Sequence, residues 1–278
     1  MNSNTKKLIC FDLDGTLLDR QKQISRTNLN MIEKLNAAGH VVSIATGRHY
    51  KSAHKVREMI PADLEIICSN GAVIESGGKI IRRDQIPLKE LEIIYHLTQD
   101  HDLSLAFLSL YSVYHTRLAW AFRMDYFNNV LNKGSIKVRN LHVRNRSEYM
   151  KYAPFYINGI VIDRTQPERI QHLRHDLEAM NRFTIESSAS DNVEIMAKTS
   201  NKGIAALKLA KRHGIAPEDI IAFGDGENDH KLIQAAGVSF AMENACDLLK
   251  EEADYVIGHH TSNTIAHTLS ELLNLSLE

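Results

Sequence analysis

The chain has 278 residues, 44% of them hydrophobic and 24% charged, with a formal net charge of −1. That balance can bury a sizeable core in one large or two modest domains. It carries no global field of the kind that draws a protein to nucleic acid or to an anionic membrane surface. No apolar run approaches the roughly 18 residues that span a bilayer. The start, MNSNTKKLICFDLDG, has no apolar signal region or cleavage site before it runs into a strand. Cys10, Cys68 and Cys246 are odd in number and far apart, without CxxC or Cys/His spacing. Free thiols in a reducing, cytoplasmic setting are expected.

KKLICFDLDG reads as a short buried strand that ends in an acidic loop, and ISRTNLNMIEKLNAAG (24–39) as a helix stopped by Gly39. HVVSIATGR is a second apolar strand ending in a polar turn, followed by a helix to about Met59. LEIICSNGAVI adds a strand with a turn signal at Asn70-Gly71, and AVIESGGKII a hairpin. This βαβαβ order predicts a parallel sheet with right-handed crossovers. The middle reads differently. A helix over 88–102 precedes LSLAFLSLYSVYHT, rich in β-formers. A helical stretch over 117–132, a strand pair in YAPFYINGIVID, a helix over 167–180 and the strands RFTIESSA and NVEIMAK follow. Helices on one side of an antiparallel sheet fit this mix. From Lys202 the first pattern returns, with strands at DIIAFGD, VSFAM and DYVI between helices, and a last helix from about Asn263 to Leu273. The expected architecture is α/β: a Rossmann-like parallel-sheet core from residues 1–83 and 190–278, with an α+β cap domain, 84–189, inserted between them.

In open parallel sheets, ligands bind at the carboxyl ends of the strands. Asp12 and Asp14 follow the first expected strand, Thr46, Gly47 and Arg48 the second, and Gly224 to Asp229 a later one. The topology lets Asp12, Asp14, Asp225 and Asp229 converge at one sheet edge. Such a self-repelling cluster is relieved by a hard dication. Magnesium fits best, because it takes one or two carboxylates and keeps water or phosphate as its other ligands. Thr46 offers a hydroxyl and a main-chain N–H to an anion in a glycine-containing turn at a helix start. Lys202 sits at a helix N-terminus, where the dipole disfavours it, so a charge aimed at a phosphoryl oxygen explains its place better than helix stabilisation. Each feature alone has an ordinary reading: an acidic turn for Asp12 and Asp14, helix caps for Thr46 and for the 225–229 group, a solvated surface lysine for Lys202. The weight lies in the set.

FDLDGTLL, SIATGR, SNKG and FGDGENDHKL resemble the four successive motifs of the haloacid dehalogenase-like hydrolase superfamily. The large insert, with SNGAVI and MENA, resembles its Cof-type phosphatase branch. The resemblance covers nearly the whole chain. It implies a magnesium-dependent phosphatase that hydrolyses small phosphomonoesters, sugar phosphates or phosphorylated cofactors, through an aspartyl-phosphate intermediate. On that pattern Asp12 attacks phosphorus, while Asp14 manages the proton and lends its main-chain carbonyl to magnesium. Thr46, Gly47 and Arg48 hold the phosphoryl group, and Lys202 neutralises Asp12 and the phosphoryl oxygens. Asp225 ligates magnesium, Asp229 supports it directly or from behind, and Asn228 contacts phosphate. In the insert, residues 117–151 hold eight Lys or Arg against Asp125 and Glu148, which makes Arg117 and Arg123 candidates for substrate contact. The chain departs from the branch where HKLI follows Asp229 in place of an early methionine, and where IGHHTSNTIAH is basic-leaning and lacks the branch's own glycine before the last helix; His259 and His260 could approach the site rim from a strand end but read first as exposed loop residues. A sugar phosphomutase on the same core and a non-catalytic phosphometabolite-binding module are the alternatives. The expected partner is a small phosphorylated metabolite, with no nucleic acid or membrane; the oligomeric state is open.

Overall fold

The computed structural model describes residues 5–117, 138–163, 165–187 and 191–277. Short apolar segments buried on both faces form the middle of an eight-stranded sheet, the pattern that parallel strands covered by helices require. β1 (Leu8–Phe11), β2 (Val41–Ala45), β3 (Glu65–Cys68), β12 (Ile220–Gly224), β13 (Val238–Met242) and β14 (Tyr255–Ile257) run parallel in the order β14-β13-β12-β1-β2-β3. β4 (Val73–Ser76) turns back antiparallel to β3, and β5 (Lys79–Arg83) completes the sheet. Gly77 and Gly78, with φ of 56° and 72°, form the two-residue loop between β4 and β5, the backbone that a tight hairpin demands. The helices of this part are α1 (Arg26–Ala37), α6 (Lys202–Arg212), α7 (His230–Ala235), α8 (Asp247–Glu252) and α9 (Thr264–Leu273), while α2 (Tyr50–Arg57), which follows β2, falls mostly in the second unit. The strand order changes direction beside β1, so the loops after β1, β2 and β12 gather at one sheet edge.

The chain divides into two compact units. One comprises Met1–Arg48, Val56–Arg82 and Asn201–Glu278; the other comprises His49–Lys55 and Arg83–Ser200. The second has a six-stranded sheet in the order β10-β11-β9-β6-β7-β8, made of β6 (Leu105–Leu108), β7 (Ser112–His115), β8 (Arg139–His142), β9 (Asn158–Ile162), β10 (Phe183–Glu186) and β11 (Asn192–Ala197). Its pairings are antiparallel except β7 with β8, which is parallel. Leu91 and Ile94 of α3 (Leu88–Asp100), Tyr149 of α4 (Arg146–Tyr152) and Leu173 and Leu177 of α5 (Pro167–Ala179) share one core with Phe107, Val161 and Ile195 of the sheet. The Phe107 and Tyr156 rings stack with centroids 4.3 Å apart. Gly159 makes room for them, since a Cβ there would lie 2.8 Å from the Phe107 ring.

Three sequence expectations shift. The return to the core was set at residue 190, but β11 pairs with β9 and β10, so the first unit resumes at Asn201. YAPFYINGIVID holds one strand, β9, rather than two, because its first half closes α4 and passes into a short 3-10 turn at Ala153–Phe155 that Pro154 favours. Helix α4 itself was missed, although Asn145 caps its start. Asn145 accepts from the Glu148 N–H (3.0 Å), and Glu148 accepts from the Arg144 N–H (2.9 Å). Most of the helical stretch expected over 117–132 lies outside the described residues.

Helix α6 carries Lys202 in its first turn, capped by Asn201, whose side chain accepts from the Ile204 N–H at 2.8 Å. It approaches α7 so closely that a Cβ on Gly203 would lie 2.0 Å from the Lys231 carbonyl oxygen, a backbone atom that cannot swing away. Gly203→Ala is therefore expected to destabilise the fold by about 1–3 kcal/mol through overpacking. Urea denaturation measures the effect, and an unchanged midpoint would contradict this close approach.

Candidate active site

The first strand delivers Asp12 to the sheet edge, with its N–H still bonded to the Phe223 carbonyl of β12 at 3.0 Å. The chain then folds sharply: Leu17 N–H bonds to the Asp12 carbonyl and Leu18 N–H to that of Leu13. Gly15 sits at φ 88° with Asp225 so close that a Cβ would lie 2.2 Å from its Oδ2. No other residue fits there, because both the backbone angle and the space forbid a side chain.

Lys202 is the centre of the site. Its ammonium donates to Asp12 Oδ1 at 2.7 Å and to Asp229 Oδ1 at 2.6 Å, with none of the side chain exposed. Burial alone would lower the Lys202 pKa, but the two carboxylates outweigh it and hold the ammonium charged. Asp229 is fully engaged from behind: its Oδ2 accepts the N–H groups of Asp225 and Gly226, both at 3.0 Å. It therefore serves as a brace for the loop and an anchor for Lys202, in keeping with a support role from behind any cation. Asp225 accepts from the Thr16 hydroxyl at 2.8 Å.

Asp12, Asp225 and Asp229 each place a carboxylate oxygen within 4.8 Å of the others. Three carboxylates thus face one ammonium. The shortage of positive charge appears in their acidities: burial, then the charge of Asp229, pushes Asp225 up to about 6. Burial raises Asp12 as well, with Lys202 opposing and Asp229 and Asp225 reinforcing. An oxygen-only donor set with unmatched negative charge fits a hard divalent cation.

The carboxylate of Asp14 does not join this group. Arg48 grips it with two hydrogen bonds of 2.6 Å, from Nε to Oδ2 and from a terminal nitrogen to Oδ1, and Lys22 adds a third at 2.7 Å. Partial burial pulls its pKa up, but Arg48 and then Lys22 more than reverse that and bring it down to about 2. Arg48, expected to meet phosphate, is here the partner of Asp14.

Thr46, just past β2, is buried, and its N–H donates to the Ile67 carbonyl at 2.9 Å. The expectation that this N–H is free for an anion is thereby corrected: the sheet ladder takes it. The hydroxyl oxygen accepts from the Arg48 N–H at 3.1 Å, which leaves its proton to donate. Gly47 follows, and Asn228 stands near it: a Cβ on Gly47 would lie 3.5 Å from Asn228 Nδ2. In the second unit, the Arg117 guanidinium donates to Asp102 in an exposed pair. Arg123 lies outside the described residues.

Four residues around the site carried no assigned role in the sequence: Thr16, Asn70, Asn244 and His260. Asn244 Nδ2 donates to the Gly15 carbonyl (2.8 Å) and its Oδ1 accepts the His260 N–H (3.1 Å), while His260 Nδ1 donates to the Leu18 carbonyl (2.8 Å). His260 is thus built into the base of the site, whereas His259 contacts its neighbour Thr261. The signals existed, since Thr16 lies in FDLDGTLL, Asn70 in SNGAVI and Asn244 in MENA; a role for each required the fold. The three cysteines are free, as expected, and burial pushes the Cys10 thiol up to about 12. Among the described residues, no helix is long and apolar enough to cross a membrane.

A family model for haloacid dehalogenase-like hydrolases matches residues 9–269. The chain is similar to a pyridoxal phosphate phosphatase of Escherichia coli, with 27% identity over 273 residues that cover 94% of this chain and 97% of that one. It is also similar to a 5-amino-6-(5-phospho-D-ribitylamino)uracil phosphatase of Bacillus subtilis, 26% identical over 264 residues, or 95% and 94% of the two chains. Among solved structures, it superimposes on a haloacid dehalogenase-like hydrolase from B. subtilis with a TM-score of 0.81 and 25% identity, covering 96% of this chain and 99% of that one.

Two outcomes are expected from the charge arrangement. Lys202→Met leaves the buried carboxylates unmatched, so the metal-free protein should lose about 3–5 kcal/mol of stability near pH 7 in urea unfolding. Those carboxyls then bind protons more tightly folded than unfolded, so the deficit should shrink as pH falls toward 5; a deficit that grows instead would overturn this assignment. Arg48→Met should raise the Asp14 carboxyl from about 2 toward the ordinary carboxylate range, read by carbon NMR titration. In the wild type, what this pair contributes to stability is present above about pH 4 and is lost as pH falls through about 2.

Proposed function

The chain belongs to the haloacid dehalogenase-like hydrolase family, and from that premise we propose that it is a magnesium-dependent phosphatase of small phosphomonoesters, working through an aspartyl-phosphate on Asp12. The observation that carries this reading is the Asp12 carboxylate itself. It is buried, with one oxygen held by Lys202 at 2.7 Å, at the sheet edge to which the strand ends also bring Thr46, Gly47 and Asn228.

On this proposal the residues divide the work as follows. Lys202 orients Asp12 and opposes the rise that burial imposes on its pKa, and its charge also faces the phosphoryl oxygens as they arrive. The Thr46 hydroxyl, the Gly47 N–H and the Asn228 amide donate to the transferring group. Asp12 Oδ2 forms the bond to phosphorus while the bond to the leaving oxygen breaks, and water then cleaves the acyl phosphate to restore Asp12. Asp14 gives a proton to the leaving oxygen and takes one from that water. This role requires the Asp14–Arg48 pair to open, because a carboxyl held near 2 carries no proton at neutral pH. Asp12, Asp225 and the main-chain carbonyl of Asp14 would hold magnesium, with Asp229 behind them. Bound there, the ion supplies the positive charge that lets an anionic carboxylate approach an anionic phosphoryl group.

Small phosphorylated metabolites are the proposed substrates. The two relatives named above act, by their names, on a phosphorylated pyridine and a phosphorylated uracil derivative, which puts phosphates of nitrogen heterocycles first among substrates to try.

With 4-nitrophenyl phosphate and magnesium, Asp12→Asn should lower phosphate release by at least about a thousandfold. Its thermal midpoint should stay close to that of the wild type, because Lys202 keeps its bond to Asp229. Asp12→Asn with full activity would remove Asp12 as nucleophile. Chelation of the wild type should abolish turnover, and added magnesium should restore it.

A further inference from the structure

The turn after β3 is conformationally unusual. Ser69, Asn70 and Gly71 follow one another at φ 49°, 51° and 90°, three successive left-handed residues of which only the last is glycine. A non-glycine residue pays for that conformation, and it persists only where the surroundings impose it. Here they do so on three sides. Ser69 N–H bonds to the Arg48 carbonyl at 3.0 Å and Asn70 N–H to the Thr46 carbonyl at 3.1 Å. A Cβ on Gly71 would lie 2.2 Å from the Asn201 carbonyl oxygen, at the start of the helix that carries Lys202. The turn therefore locks the Thr46–Arg48 loop and the base of Lys202 against each other.

Asn70 adds a side-chain contact. It is 1% exposed, and its Oδ1 accepts a hydrogen bond from Asn228 Nδ2 at 3.1 Å. The same oxygen lies 2.9 Å from where a Cβ on Gly47 would stand, so Asn70, Gly47 and Asn228 meet at one point. Asn228 is held in one sense: its nitrogen faces Gly47 and its oxygen faces Gly226, where a Cβ would lie 2.8 Å from Oδ1. Reversing the amide would set two carbonyl oxygens against each other at Asn70. It would also present an acceptor, in place of a donor, to any anion bound at Thr46 and Gly47.

We propose that Asn70 is a positioning residue for phosphate, acting through Asn228 by fixing its amide with the NH2 group toward the Thr46–Gly47 turn. The inference deepens the phosphatase reading and rests on it for the identity of the anion. Asn70 itself touches no reacting atom; it decides which face of a neighbouring side chain does.

Inorganic phosphate is the probe, titrated calorimetrically into the full-length protein in magnesium buffer. Asn70→Gly keeps a backbone free to adopt the left-handed turn and removes only the amide. It should weaken phosphate binding about tenfold, the loss of one well-placed hydrogen bond to a charged group, with the thermal midpoint nearly unchanged. Asn228→Ala should weaken it comparably, and the double variant should be no worse than Asn228→Ala alone. Independent, multiplying losses, or full affinity in Asn70→Gly, would overturn the proposal. A measurement on the wild type guards against a variant that fails to fold: added phosphate should shift the Asn228 side-chain NH2 resonances, and resonances that stay put would overturn it too. Turnover is scored separately. A wild type that binds phosphate with this coupling yet cleaves no ester would remove the phosphatase reading and leave the Asn70 assignment standing, whereas a wild type that binds no phosphate would remove both.

Discussion

The site depends on one buried ammonium. Lys202 arrives from the second segment of the core, 190 positions after Asp12, and links β1 to the loop after β12 through two short hydrogen bonds. Taking a lysine fully out of water is costly, and only paired carboxylates with good geometry offset that cost. The same pairing works in reverse. The ammonium opposes the pull of burial on Asp12 without cancelling it, since burial and the charges of Asp229 and Asp225 still hold that carboxyl well above the usual carboxylate range; on the proposed chemistry a bound cation would supply the rest of the charge that an ionised nucleophile needs. On the proposed chemistry, the structural pair and the reactive carboxylate are therefore one arrangement.

Close backbone approach makes that pairing possible. Gly203 lets α6 press against α7, Gly71 lets the turn after β3 reach the first residues of α6, and Gly15 admits Asp225 beneath the first loop. Each is a place where a single methyl group would collide with a backbone or carboxylate atom. Asp229 completes the frame by holding two N–H groups of its own loop and the Lys202 ammonium at once. Its carboxylate is used up as a structural hub, whereas Asp225 accepts from the Thr16 hydroxyl and Asp12 from Lys202. Four aspartates that look alike in sequence thus divide into a nucleophile candidate, a cation ligand candidate, a brace and an Arg48-bound carboxylate, according to what each neighbour donates.

Much of this was legible in the sequence because the parallel core announces itself: apolar runs of four or five residues, each followed by glycine and polar residues, alternate with amphipathic helices. Asp12, Asp225, Asp229 and Lys202 were legible for the same reason, since strand ends and a helix start fix where they must point. The misjudged features are those set by partners distant in sequence. Arg48 was read for phosphate alone, and its guanidinium also binds Asp14. The Thr46 N–H looked free until the ladder with Ile67 was seen. His260 looked like a loop histidine, although its ring holds the Leu18 carbonyl across 242 positions. In the second unit, YAPFYINGIVID has the composition of two strands, but Pro154 and the helix that Asn145 caps decide its first half locally.

The two basic side chains beside Asp12 and Asp14 occupy unequal positions, and the difference bears on turnover. Lys202 is enclosed, with no water to replace its partners, so its pairing with Asp12 is a fixed feature of the fold. Arg48 and Asp14 lie nearer solvent, at 20% and 41% exposure, where an ion pair is worth little and exchanges readily. A doubly charged phosphate placed at Thr46 and Gly47 is the kind of ligand that competes for a guanidinium, because it accepts the same forked pair of hydrogen bonds as a carboxylate. On the proposed chemistry, substrate arrival would draw Arg48 toward phosphate and release Asp14 from the field that keeps it ionised. The carboxyl would then be free to exchange a proton with the leaving oxygen only when there is a leaving oxygen to receive it. On that proposal the paired state would be a resting form, with Asp14 held unreactive until phosphate takes its partner.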